Sequence, residues 1–158
     1  MNNKNKYGQY FTQKTIADFM VSLISKDHDC HILEPSCGEG VFIKSLMEQG
    51  FQQINAYEID PDLSQQYDCV EHRSFLSVPL TEQYDVIIGN PPYIRWKNLE
   101  PELKQELANN TLWNKYFNSL CDYLFIFILK SIEHLSDGGE LIFICTEYWM
   151  NTTHSVSL

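Results

Sequence analysis

The sequence predicts an α/β domain built on a doubly wound, mostly parallel sheet. Three observations predict it. Short apolar runs of strand length alternate with stretches in which apolar residues recur at helical spacing. One such run, residues 31–33, passes into the loop Glu34-Pro35-Ser36-Cys37-Gly38-Glu39-Gly40 and then a helical pattern, the order in which open α/β sheets seat a ligand at a helix N-terminus. A further run ends at Glu58, about twenty residues past the glycine loop, where a ribose-binding carboxylate sits in this topology.

In chain order, the pattern predicts a helix over 14–25 and a short buried strand over 31–33, then a helix over 41–49 that follows the glycine loop. The next strand, 55–59, is bounded by Asp60 and Pro61, and a helix is predicted over 61–67 behind those residues. The run YDVIIG gives a strand over 85–88. A long apolar pattern over 118–135 gives the last helix. Residues 136–139, Ser-Asp-Gly-Gly, form the turn into a final strand over 140–145, with glycine in the left-handed cap. The polar, charged segment 98–114 reads as a surface insertion.

Composition suits one core and excludes several classes. The 158 residues are 44% hydrophobic and include 21 aromatics, enough apolar material for a single α/β unit spanning 1–158. Five cysteines and five histidines are scattered without CxxC or Cys/His ligand spacing, so reduced thiols and no metal site are expected. The longest apolar run, 123–129, is too short to span a bilayer, and the N-terminus lacks a signal-peptide core; a cytoplasmic location is expected. With 11 basic against 21 acidic residues the formal charge is −10, the opposite of a chain that grips duplex DNA unaided.

The motifs carry the chemistry. The glycine loop has no Lys and no Gly-Lys-Ser/Thr, which excludes a P-loop, and Ile43 stands where a dinucleotide fingerprint would have its third glycine. It offers two carboxylates instead, Glu34 and Glu39, beside Ser36, Gly38 and Gly40. Those groups suit a cofactor with positive charge and no phosphate, such as S-adenosylmethionine with its ammonium and sulfonium. Glu58 can accept from both ribose hydroxyls and Ile59 can cover an adenine face; alternatively Glu58 is a strand-end acid opening the next element.

Asn90-Pro91-Pro92-Tyr93, directly after the apolar run, is the most specific signal. An exocyclic amine on adenine is a poor nucleophile because its lone pair is delocalised into the ring. Two acceptors, the Asn90 side-chain carbonyl and the Pro91 backbone carbonyl, can hold such an amine with its lone pair turned out of the ring plane. Both prolines stiffen the segment and bring no competing N–H. Tyr93 can stack on the base, worth about 1–3 kcal/mol, and a base within a duplex must be flipped out to reach it.

Gly8-Gln9-Tyr10-Phe11-Thr12, the EPSCGEG loop, YEIDP, Ser74-Phe75-Leu76, GNPPY and a last strand running into Tyr148 and Trp149 occur in this order along nearly the whole chain. In this the sequence resembles N6-adenine DNA methyltransferases of restriction–modification type, in the γ class, where cofactor binding precedes catalysis and DNA reading comes last. The resemblance implies a Rossmann-like S-adenosylmethionine-dependent methyltransferase fold. It also implies Thr12 at the methionine end of the cofactor and Phe127 against the cofactor adenine opposite Ile59; at helical spacing Phe127 also reads as a core residue. The chain departs from the family at Ser74, where an Asp usually accepts from the cofactor's adenine amino group; serine accepts more weakly.

Related enzymes continue with two further strands and a target-recognition domain, whereas only a polar stretch, 151–158, follows Met150. A truncated catalytic domain is therefore expected, with double-stranded DNA as partner through a domain or subunit outside this chain. Arg95, Trp96 and Lys97 could form a small phosphate-and-stacking edge or begin a solvated loop, and segment 98–114 is expected to lack order without DNA. Two alternatives remain on the sequence: an S-adenosylmethionine-binding module or split subunit without turnover, and a protein glutamine N-methyltransferase, for which the thirty or so residues ahead of the glycine loop leave little room.

Overall fold

The computed structural model describes residues 10–117 and 121–145. Gly8, Gln9, Tyr148, Trp149 and the stretch 151–158 lie outside them. Five strands form one sheet in the order β3-β2-β1-β4-β5, every pair parallel: β1 (Ile32–Glu34), β2 (Ile54–Glu58), β3 (Val70–His72), β4 (Tyr84–Gly89) and β5 (Leu135–Phe143). From β1 the chain winds outward through β2 and β3, then returns to place β4 on the other side of β1. The order reverses between β1 and β4, and a crevice opens there beyond the strand C-termini.

Alternation along the strands divides the core. Ile32, Ile54, Val86 and Ile88 point to one face, where α1 (Lys14–Val21) and α2 (Val41–Glu48) cover them with Ala17, Met20, Val21, Phe42 and Leu46. Leu33, Tyr57 and Ile87 point to the other, against α3 (Pro101–Ala108), α4 (Thr111–Tyr116) and α5 (Tyr123–Glu133). Each fully buried aliphatic side chain contributes about 1.5–3 kcal/mol, so strands β1 and β4, enclosed on both faces, anchor the site they carry. The doubly wound expectation holds.

Several details differ from the sequence reading. No helix forms over 61–67; the segment turns instead, with an Asp60 Oδ1 acceptor for the Asp62 N–H and a buried Ser64 at φ +54. Asp-Pro-Asp favours side-chain-to-backbone turns over a helix of this length. The first helix stops at Val21 rather than Ser25, because Ser25 is drawn out to Glu140, whose carboxylate takes both its N–H and its hydroxyl. Strand β3 is an edge of three residues with two exposed positions, too short and polar to signal itself.

Segment 98–114 is ordered as α3 and α4. Pro101 takes the first turn of α3, the Asn110 side chain caps α4 by accepting from Trp113 N at 3.0 Å, and Leu103, Leu107 and Trp113 are buried. Of the predicted 118–135 helix, α5 covers Tyr123–Glu133, and 118–120 lie outside the described residues. Strand β5 begins at Leu135, and its register jumps between the Tyr84 and Val86 pairings, with Gly138 at φ +73 in the displaced stretch.

Candidate active site

The loop leaving β1 is held by the end of β2. Cys37 N donates to Tyr57 O at 2.9 Å and Gly40 N to Cys37 O at 2.8 Å, winding the loop into α2. Gly38 and Gly40 stand at φ +54 and +80, where a side chain is strained. At Gly40, the N-cap of α2, a Cβ would also meet the Tyr67 ring at 2.4 Å, whereas one at Gly38 would enter open space. Ser64 donates its hydroxyl to Gly38 O, tying the 61–67 turn to the loop.

Glu58 is 4% exposed and accepts from Gly38 N at 2.7 Å through Oε2 and from Asp60 N at 2.9 Å through Oε1. These bonds fix the carboxylate while leaving each oxygen a lone pair for a ligand donor. Glu34, 1% exposed at the C-terminal end of β1, has no partner for Oε2. Burial foremost, and then the neighbouring Glu58 charge, raise its pKa well above the usual carboxylate range. Ser36 Oγ is likewise buried and without a partner.

At the end of β4 the Asn90 side chain donates from Nδ2 to Tyr10 O at 3.0 Å and to Thr12 Oγ1 at 3.2 Å; its Oδ1 is buried without a partner. Tyr93 donates its hydroxyl to Ile144 O, and its ring meets that of Tyr10 edge-on at 5.9 Å. Burial, then Cys145, push the Tyr93 hydroxyl pKa up, so it stays a neutral donor.

These residues line two clefts that share Asn90 and Tyr10. The first, enclosing about 810 Å³ with its mouth, runs from the glycine loop past Glu34, Glu58 and Ile59 to Ser74, Phe75 and Phe127. The second opens beside Tyr93, between Arg95, Asp122 and Ile144. Asn90 sits at their junction. Phe127 packs on Phe75 at 5.6 Å and Tyr123 at 5.3 Å within the core, and it also walls the first cleft. Ser74 caps a 3-10 turn, accepting from Leu76 N at 3.3 Å, and also lines that cleft. Thr12 lines it too, in contact with Asn90.

Sequence reasoning missed Arg73, Leu103 and Tyr123, which complete the first cleft. Leu99, Leu103 and Leu107, spaced four apart in the supposed insertion, were the signal that α3 faces the core. Trp96 stacks on Trp113 at 5.4 Å and 10°, so its ring is engaged within the protein, while Arg95 and Lys97 stay exposed beside it. Among the described residues no cluster of His, Cys, Asp or Glu could hold a metal ion, and no helix is long and apolar enough to cross a membrane.

Comparison with known proteins gives the family and the fold. The type II methyltransferase M.HincII of Haemophilus influenzae is 48% identical over 155 residues, covering 98% of this chain and 31% of that protein. M.AccI of Acinetobacter calcoaceticus is 26% identical, covering 98% and 30%. The chain thus spans about a third of the length of these relatives. Among solved structures, the type I restriction-modification methyltransferase subunit of Streptococcus thermophilus superposes over 97% of this chain and 38% of its own with a TM-score of 0.72 at 13% identity, which is a likeness of fold. The Eco57I restriction-modification methylase family matches residues 4–157, and the chain belongs to that family.

Proposed function

We infer that the chain is the catalytic core of a DNA methyltransferase that transfers a methyl group from S-adenosylmethionine to N6 of a flipped-out adenine. The observation that carries this reading is the buried, unpartnered Oδ1 of Asn90 at the junction of two clefts. A buried acceptor left without a donor costs about 1–3 kcal/mol, which a ligand N–H recovers.

The first cleft fits the cofactor. Glu34 Oε2 and Ser36 Oγ are orphaned acceptors for an ammonium group, and the free lone pairs of Glu58 suit ribose hydroxyls. Gly38 and Gly40 let the backbone approach closely. Ile59, Phe75 and Phe127 give apolar surface for a purine, and Ser74 offers its edge a hydroxyl. Bound there, S-adenosylmethionine supplies an electrophilic methyl on its sulfonium.

On the other side, Asn90 Oδ1 and the Pro91 carbonyl accept the two N–H groups of the target amine, turning its lone pair toward the methyl, while Pro92 fixes the backbone and Tyr93 stacks on the base. Tyr93 is braced for that by Ile144 and Tyr10. Duplex DNA is the substrate, with recognition and most phosphate contacts supplied by a domain or subunit beyond these 158 residues, since a chain of net charge −10 gains little from counterion release. The five cysteines, none of them in a disulfide, suit the reducing cytoplasm.

The test is labelled-methyl transfer to unmethylated DNA, with nucleosides resolved after digestion. The label is expected in N6-methyladenine, and Asn90→Ala is expected to lower the rate by at least about 100-fold, the scale of losing one preorganised polar contact. Label in another nucleoside, or a near-native rate for Asn90→Ala, would overturn the assignment.

A further inference from the structure

We propose that Thr12 is a positioning residue for Asn90: the main-chain carbonyl of Tyr10 selects which end of the Asn90 amide faces the clefts, and the Thr12 Oγ1, by taking the second N–H, holds the amide there. The inference rests on the reading of Asn90 as the acceptor for a target amine. The last torsion of an asparagine is broad and nearly two-fold, so an unrestrained amide exchanges its oxygen and nitrogen readily. Turned the wrong way, Asn90 would present N–H donors to an amine that is itself a donor.

The partners remove that ambiguity. A backbone carbonyl only accepts, so the group facing Tyr10 O at 3.0 Å must be the amide nitrogen. Its second N–H is taken by Thr12 Oγ1 at 3.2 Å. Both donors are thereby directed to the N-terminal segment and Oδ1 is left as the atom without a partner. Flipping the amide would set oxygen against oxygen at Tyr10 and forfeit that bond, while the Thr12 hydroxyl, able to donate as well as accept, would only reverse its role. Neither proline of the following pair carries an N–H, so neither backbone nitrogen can donate to Oδ1 in place of a ligand. The N-terminal segment ahead of α1, 78 residues upstream of Asn90, thus prepares the acceptor before any ligand arrives. Thr12 contributes through Asn90 rather than by touching the reacting atoms.

The experiment is proton–nitrogen NMR of the labelled chain, with the Asn90 side-chain amide identified by its disappearance in Asn90→Ala, alongside calorimetric titration with S-adenosylmethionine. Both Asn90 amide protons are expected to exchange at least about tenfold slower than a free amide. In Thr12→Val, or Thr12→Ala as a second hydroxyl-free variant, one should lose that protection and shift, and Thr12→Ser should restore it. Thr12 also lines the cofactor cleft, so the Asn90 amide signal, and not the S-adenosylmethionine affinity, reads out the positioning role. An Asn90 signal identical in Thr12→Val and the unaltered chain overturns the proposal. So does a lost affinity with the Asn90 signal intact, which would make Thr12 a cofactor contact. An intact, Thr12-dependent signal in a chain that binds no S-adenosylmethionine supports the positioning role while striking the functional reading.

Discussion

Glu34 is an enclosed carboxyl group beside a second acid, Glu58, and its raised pKa has a consequence for stability. Below the ordinary glutamate value of 4.5 it is protonated whether the chain is folded or not. Above that value the unfolded chain releases the proton while the folded chain keeps it, so stability falls with rising pH until the folded group also ionises. Glu34→Gln keeps the shape and removes the titration. Its melting temperature is expected to gain on the unaltered chain as the pH rises above 4.5, and a constant difference would contradict the burial argument. At this scale the convergence was legible: Asn90, Glu58 and Gly38, singled out by residue type, line one cleft. What was not legible is who orients them. Thr12 and Asn90 are far apart in sequence, and no local pattern joins a hydroxyl at one to an amide at the other.

The glycine loop and the 61–67 turn work as one element, and Gly40 is where they meet. Gly40→Ala places a methyl 2.4 Å from the Tyr67 ring at a φ of +80, so it is expected to cost about 1–3 kcal/mol from backbone conformation and more from displacing the ring. Gly38→Ala meets no atom, and its methyl stands in the cleft; it should disturb folding less and cofactor binding more. Urea midpoints and cofactor titrations of the two variants check the contrast, and equal loss of stability would contradict it. Elements whose apolar residues recur regularly were read correctly to within a few positions, as at α2 and β4. Elements set by distant partners were not. The helix expected over 61–67 gave way because Ser64 is needed at Gly38 O, and the supposed insertion folded because Leu103, Leu107 and Trp113 find a core surface. Lys130, an ordinary helix residue in sequence, is buried with its ammonium on Leu76 O at 2.9 Å and on Val78 O, and burial pushes its pKa down to about 8. It moors the 3-10 turn bearing Phe75 to α5, a role no periodicity reveals.

At the scale of the molecule, the strand order puts the ends of β1 and β4 side by side, so the two most specific motifs of the sequence converge although some fifty residues separate them. Gly89 shows how closely: a Cβ there would lie 3.6 Å from Glu34 Cγ. The parallel sheet was predictable from alternating elements, and its switch point then follows from topology. The acidic surface, by contrast, separates two capacities that the family name joins. On the proposed reading, the described residues supply a cofactor cleft and an amine-orienting rim, and a net charge of −10 leaves the grip on DNA to other parts. The first capacity is the central one, and calorimetric titration of the chain and of Glu58→Ala with S-adenosylmethionine tests it directly. One-site binding is expected, weakened by at least about tenfold in Glu58→Ala, as loss of a charged acceptor worth about 1.5–3 kcal/mol requires. A folded chain that does not bind, or that binds equally well without the Glu58 carboxylate, would contradict the account.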